Sequence, residues 1–248
     1  MLHLQHDSPL PLHHQLEQRL RDEIASGRWR PGEAIASERE LMRLAGVSRA
    51  TVRQALASLI QGGLLERRQG RGTFVAQPKI EQELRSVYSF SAQMAALGRA
   101  MRDRVLQREA LPAPPDIAAQ LAVEPGERLI HIQRLRFVDG VPLTLDSSYI
   151  PFALCPELLR EPLDGSLYRL LAERYALPPL RATDTLEATT ADRASAFFLG
   201  VQPGAPLLYV ERVAFTHNDL PLQVGRNHVR GDRVRFRINL WSGIEFIK

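Results

Sequence analysis

The sequence predicts an α+β protein in two parts: a small helical part ending in a β-ribbon, and a larger antiparallel sheet covered by helices. Three observations predict it. Residues 37–76 read as two short helices and a basic hairpin, residues 123–143 recur in diverged form 78 positions later, and the formal excess of positive charge lies entirely in the first third of the chain. At 248 residues the chain exceeds the usual single-domain range, and its 44% hydrophobic and 24% charged residues are ordinary for a globular protein. The expected parts are residues 1–77, a connection over 78–88, and residues 89–248.

The first helix is announced by Leu12, Leu16, Leu20 and Ile24, which recur every four residues and predict an amphipathic support helix from near Ser8-Pro9 to Gly27. A second helix opens on Ser37-Glu38-Arg39-Glu40, where a Ser and a Glu three residues later can satisfy each other's backbone donors. Leu41, Leu44 and Ala45 share one face of it, and Gly46 lets the chain turn out. A third helix restarts on Ser48. Val52, Ala55, Leu56, Leu59 and Ile60 form its buried stripe, while Arg49 and Arg53 stand four apart on another face. Like charges at that spacing repel mildly, so an anionic partner explains them better than self-stabilisation does. Gly62-Gly63 ends the helix, and segments 64–68 and 72–76 read as a two-stranded ribbon with Gln69-Gly70-Arg71 at its tip. Arg67, Arg68 and Arg71 make that ribbon basic. The layout is a winged helix-turn-helix, and double-stranded DNA is the expected partner.

The charge distribution agrees. Residues 1–79 carry 12 Arg plus Lys against 8 Asp plus Glu, whereas the rest of the chain carries 20 of each. Taken without their context these arginines would be a solvated helical face, and Arg39 would pair with Glu38, Glu40 or another nearby carboxylate. The ordered run of cap, turn, face and wing argues for the DNA role.

These residues resemble the GntR family of bacterial regulators. The resemblance is carried by Pro31-Gly32, Ser37-Glu38-Arg39-Glu40-Leu41, Gly46-Val47-Ser48-Arg49, Thr51-Val52-Arg53-Gln54-Ala55-Leu56, Gly63-Leu64-Leu65 and Arg68-Gln69-Gly70-Arg71-Gly72-Thr73-Phe74-Val75. It implies that Arg39, Arg49 and Arg53 contact bases or phosphates, that Ser48 and Thr51 add polar contacts, and that Gly70, flanked by Gln69 and Arg71, enters the minor groove. Ala36 departs from the proline the family often places before the helix-opening Ser.

Other classes find little support. A single cysteine, Cys155, allows no intramolecular disulfide and no thiolate metal cluster within one chain. The N-terminus has neither the basic start nor the apolar stretch of a signal peptide, and no segment has the length and apolarity of a membrane span. A cytoplasmic protein is expected, with no cofactor, no metal and no membrane partner. His13-His14, the one adjacent histidine pair, points in two directions on a helix and suits no metal.

The second part contains the repeat. Val123-Glu124-Pro125-Gly126, Leu129, Arg134 and Phe137 align with Val201-Gln202-Pro203-Gly204, Leu207, Arg212 and Phe215, and after one inserted residue Pro142-Leu143 aligns with Pro221-Leu222. Each copy reads as a small helix, a Pro-Gly turn, a strand, a polar tip (Asp139-Gly140 or His217-Asn218-Asp219) and a returning strand. Two such units predict one antiparallel sheet with approximate internal symmetry, and a cleft between halves is a natural ligand site. Arg134 and Arg136, two apart on a strand, leave the same face, and two guanidiniums in a cleft call for an anion between them. Arg134 has a counterpart in Arg212, which leaves an architectural role open; Arg136 is answered by Ala214. Ser166 and Tyr168 could add hydroxyls.

This region resembles the UTRA effector-binding domain of the HutC subfamily of GntR regulators, which shares its fold with chorismate lyase. The matching residues include Pro125-Gly126, Arg134-Leu135-Arg136, Asp139-Gly140, Asp146, Ser148-Tyr149-Ile150-Pro151, Ser166-Leu167-Tyr168, Pro203-Gly204 and Arg230-Gly231-Asp232-Arg233. The resemblance implies a phosphate site of Ser91, Arg134, Arg136, Ser166 and Tyr168, with Asp146 and the residue at Gln223 reaching the rest of a ligand. Gln223 and Val229 depart from the carboxylate and tyrosine that sugar-phosphate binders often carry there. The functional expectation is a homodimeric regulator on an inverted-repeat operator, a repressor released by a small anionic metabolite such as a phosphorylated sugar or a carboxylate. Ligand-dependent activation, or an enzyme of chorismate-lyase-like fold fused to a DNA-binding domain, are the alternatives. The sequence offers no nucleophile with a base and an orienting partner, and its only lysines are Lys79 and Lys248.

Overall fold

Proline sets where the first helix starts. A residue preceding proline is pushed out of the helical region, so Leu10 cannot continue a turn into Pro11 and α1 (Leu12–Ala25) begins after it rather than at Ser8-Pro9. In a computed structural model, residues 4–5, 7–68, 70–83 and 90–240 are described, and the chain divides into two units, residues 1–79 and 80–248. In the first unit Leu16 and Leu20 of α1 are buried against Leu41 and Ala45 of α2 (Glu38–Ala45) and Val52, Ala55, Leu56 and Leu59 of α3 (Arg49–Gln61). Leu12, Ile24, Leu44 and Ile60, at the ends of the expected stripes, are only partly buried.

The ends of these helices follow the residues expected to set them. Ser37 and Glu40 form the reciprocal cap of α2, and Gly46 leaves it with φ +65°. Ser48 caps α3: its Oγ accepts from the Thr51 backbone N–H at 3.2 Å and lies 2.9 Å from Thr51 Oγ1. Replacing this serine by alanine is expected to cost about 1 kcal/mol of local stability. Amide exchange across α3 measures it, and unchanged protection in the first turn would refute the capping role. The wing is the antiparallel pair β1 (Leu65–Arg68) and β2 (Gly72–Val75), one residue shorter per strand than expected, with a further bridge from Ala34 to Phe74.

The second unit is built on six antiparallel strands in the order β4-β5-β6-β9-β8-β7. They are β4 (Met101–Pro112), β5 (Arg128–Val138), β6 (Val141–Pro151), β7 (Arg181–Thr190), β8 (Pro206–Phe215) and β9 (Pro221–Arg230). This order is the repeat made visible: β4, β5 and β6 form one edge-to-centre half, β7, β8 and β9 the other, and the halves join through β6 and β9. Helix α5 (Pro115–Leu121) lies on β9 of the other half, and α7 (Arg193–Leu199) lies on β6. On this face Leu129 and Val224 pack with Ile117 and Leu121, while Leu135, Leu145 and Leu207 pack with Ala196 and Leu199. The two polar tips turn with positive φ at Asp139, Gly140, Asn218 and Asp219.

The opposite face carries α4 (Phe90–Ala96), α6 (Leu167–Tyr175) and a two-stranded parallel ribbon of β3 (Ile80–Glu83) and β10 (Val234–Arg237). Strand β3 falls inside the segment read as a connection. Ile80 and Gln82 are buried and alternate with Glu81 and Glu83, a pattern four residues long and too short to stand out in the sequence. The remainder of that segment, from residue 84, lies outside the described residues. Near α6, Ile130, Ile132, Ile150 and Leu222 of the sheet are covered by Leu158, Leu163, Leu167 and Leu171.

Candidate functional site

Two constellations carry chemistry, one in each unit. In the first, Arg39, Arg49 and Arg53 are all exposed on α2 and α3, and Gly70 and Arg71 are exposed at the wing tip, where Gly70 has φ +70°. Gln69 lies outside the described residues. Arg39, Arg53 and Arg71 make no ion pair among the described residues. Arg39 does not take Glu38, because that carboxylate is occupied: its two oxygens meet Arg49 Nε at 3.3 Å and Arg67 Nη2. Arg68 is tied to Glu66 at 2.7 Å and lies over the Phe74 ring. Ser48 and Thr51 are partners of each other at the start of α3, which leaves the Ser48 hydroxyl exposed beside the arginines. The result is a basic surface made by the N-terminal ends of α2 and α3 and the wing, with guanidiniums free to meet phosphates and base edges.

In the second unit the sheet face under α4 and α6 forms a half-open cavity. Alternation places Arg134 and Arg136 of β5, Thr144, Asp146 and Ser148 of β6, and Gln223, Gly225 and Asn227 of β9 on its floor. Tyr168 of α6 and Phe90 of α4 close it from above, and Asp184 and Arg212 line the far half. Of the residues expected around a ligand, Arg134, Arg136, Asp146, Tyr168 and Gln223 line this cavity. Ser166 is the N-cap of α6, accepting from the Arg169 backbone N–H at 3.2 Å. Ser91 follows Phe90 on α4, and its buried Oγ has no hydrogen-bond partner among the described residues.

The anion expected between the two arginines is supplied by the protein itself. Arg134 donates to Asp146 Oδ2 at 2.7 Å, to Asp103 Oδ2 at 3.3 Å and to the Gly165 carbonyl at 3.3 Å. Arg136 Nε stands 3.5 Å from Asp103 and 3.4 Å from Asp146, ion-pair distances without hydrogen-bond geometry. On the other half Arg212 is bidentate to Asp184, both bonds at 2.6 Å. Three guanidiniums thus face three carboxylates, and the site is formally neutral.

The two carboxylates that share Arg134 and Arg136 titrate in opposite directions. Burial pushes Asp103 up, and the neighbouring Asp146 charge adds to it, by more than the Arg136 and Arg134 guanidiniums pull it down. Burial acts on Asp146 too, but Arg134, Arg136 and the Ser148 hydroxyl hold it below the ordinary carboxylate range. Burial beside Arg134 lowers Arg136, which nonetheless stays charged. From Asp146 a chain of side chains continues across the floor: Gln223 Nε2 donates to Ser148 Oγ at 2.7 Å, and Tyr168 donates to Gln223 Oε1 at 2.7 Å. Burial raises Tyr168, so it remains a donor at neutral pH.

Sequence reasoning missed Asp103, Asp184, Gly225 and Asn227, and left Arg212 as architecture. The repeat held a signal for one of them. Gly225 occupies the place in the second copy that Asp146 occupies in the first, so the far half lacks the floor carboxylate and Arg212 turns to Asp184 instead.

A basic winged head joined in one chain to a sheet domain with a charged cavity defines a ligand-responsive DNA-binding transcriptional regulator. The chain belongs to the GntR family: residues 12–75 match the model of bacterial regulatory proteins of the gntR family, and residues 96–235 match the UTRA domain. It is 34% identical over 235 residues to the HTH-type transcriptional repressor NagR of Bacillus subtilis, covering 95% of this chain and 97% of that protein. It is 32% identical to the histidine utilization repressor of Pseudomonas aeruginosa, covering 82% and 81%. Among solved structures, PhnF from Mycobacterium smegmatis superimposes with a TM-score of 0.66 at 30% identity, covering 92% of this chain and 99% of that one. The family is one of DNA-binding regulators with a small-molecule effector domain, not of enzymes. Among the described residues no helix is long and apolar enough to cross a membrane.

Proposed function

We propose that this chain is a homodimeric repressor whose two winged heads read an inverted repeat and which leaves that operator when a small anionic metabolite enters the sheet cavity. The observation that carries the ligand class is the unequal footing of the two floor arginines. Arg134 is engaged on three sides, whereas Arg136 sits at ion-pair distance from two carboxylates with its Nε unbonded, stacked toward the Phe90 ring at 5.4 Å. An incoming carboxylate or phosphate can take Arg136 while giving up no well-formed hydrogen bond from that Nε. Tyr168 and Gln223, which line the same cavity, support this placement; Ser91 and Ser166 are not among its lining residues. Thr144 and Asp146 face whatever extends from the anion, and Val229 adds an apolar wall. Two-fold DNA is the match for a two-fold protein, and the relatives above are named as repressors, which supports the sign.

A hundredfold fall in operator affinity on ligand binding needs about 2.7 kcal/mol of coupling, within the usual allosteric range. The test is thermal-shift screening of the full chain against phosphorylated sugars, carboxylates and phosphonates, repeated on Arg136→Ala. The expected result is a stabilising anion whose effect vanishes in the variant and which releases a duplex bound by two chains. A panel without any shift, or a ligand that stabilises Arg136→Ala equally, would remove the basis for the anionic assignment.

A further inference from the structure

Glu38 is a carboxylate embedded in the DNA-reading surface. It sits at the start of α2, and its side chain is 19% exposed, whereas the arginines it holds are 71% (Arg49) and 57% (Arg67) exposed. Those arginines come from two different elements: Arg49 opens α3, and Arg67 lies on β1 of the wing. One carboxylate therefore fastens the helix that enters the major groove to the wing that lies beside it. A negative charge at this place repels phosphate, so by Coulomb's law alone it weakens attraction to any duplex.

We infer that Glu38 is a specificity-determining positioning residue: it fixes the relative placement of Arg49 and Arg67 and restrains them from engaging phosphates of an unmatched duplex. On random DNA, where nothing but phosphate is offered, the two guanidiniums stay divided between Glu38 and the backbone. On a matched site Arg49 reaches a base edge while Glu38 keeps Arg67 aligned with the wing. The inference rests on the DNA-binding reading of this face but asks a separate question of it, namely discrimination rather than affinity.

The experiment compares the full chain with Glu38→Gln on two duplexes: one selected from a random pool by the unmodified protein, and one of scrambled sequence. Glu38→Gln should bind the scrambled duplex about tenfold more tightly at low salt, with a dependence of log affinity on log salt steeper by roughly one phosphate contact. Its affinity for the selected duplex should rise less or fall, so that the ratio between the two shrinks about tenfold or more. A carboxylate that merely held the fold together would instead weaken both duplexes alike and lower the melting midpoint, which would overturn the inference. Glu38→Asp guards against a folding defect: it keeps the charge but shortens the reach, and should leave scrambled-duplex affinity unchanged while weakening the selected one. Equal changes on both duplexes for this variant would also overturn it. If even unmodified protein shows no preference between the duplexes, the DNA-reading assignment itself falls, an outcome distinct from either.

Discussion

Replacing Arg49 and Arg53 together by alanine is expected to abolish operator retention, lowering affinity about a hundredfold or more while leaving the fold intact. Both side chains are exposed on α3, and neither contributes to the packing of Leu16, Leu20, Leu41, Val52 and Leu59 beneath. Each good guanidinium contact to a base is worth about 1–3 kcal/mol, so two contribute about 2–6 kcal/mol, a range that spans the roughly 2.7 kcal/mol of a hundredfold loss. The salt dependence discriminates the kind of contact. Were both arginines on phosphates, the slope of log affinity against log salt would flatten by roughly 1.8, whereas base contacts would leave the slope and erase sequence preference. Electrophoretic retention measured at several salt concentrations decides between them. Unaltered retention at all of them would mean that α3 does not enter the groove.

The second large effect concerns stability. Arg134 is 2% exposed and sits between Asp103 and Asp146, so Arg134→Met leaves two buried carboxylates with only Arg136 to answer them. Removing one member of a buried ionic cluster costs about 3–5 kcal/mol, because the orphaned charge remains out of water. The effect has a pH signature. Without Arg134, burial raises both carboxylates above their unfolded values. A carboxyl raised in the folded state takes up its proton there first, so stability relative to the parent is regained as pH falls through the raised range. The deficit should therefore be largest near neutrality and narrow as pH falls through the raised range toward that of an ordinary carboxylate. Calorimetric melting of both proteins across that range tests it; a deficit constant with pH would show that lost packing, and not orphaned charge, is the cause. Replacing Asp146 by leucine in the same variant should restore part of the loss, since an apolar pair of similar volume needs no partner.

The sequence was most informative where one residue settles a backbone decision. Ser37 with Glu40, Ser48 and Gly46 each stop or start a helix through a bond or a dihedral that is local, and all behave as their types dictate. The repeat was equally readable, because the same hairpin chemistry at Asp139-Gly140 and His217-Asn218-Asp219 turns the chain in both halves. What stayed hidden depends on partners far along the chain. Asp103 meets Arg134 from 31 positions away and Asp184 meets Arg212 from 28, and nothing near either aspartate marks it as buried. Ser166 shows the converse. Its place beside a turn and two before a tyrosine suggested a ligand hydroxyl, while its local duty is to cap α6. Strand β3 was invisible for another reason: its four residues are ordered by Val234 and Phe236, more than 150 positions later.

The crossed helices of the sheet domain have a consequence for how it holds together. Since α5 roofs a strand of the later half and α7 roofs one of the earlier half, each half lends the other part of its apolar cover. A polypeptide severed between β6 and β7 should yield fragments that are insoluble apart and reconstitute when mixed, because each owns the lid its counterpart requires. The cavity straddles the seam between them, drawing Asp146 from one and Gln223 from the other, so a guest molecule lodged there acts as a rivet through both.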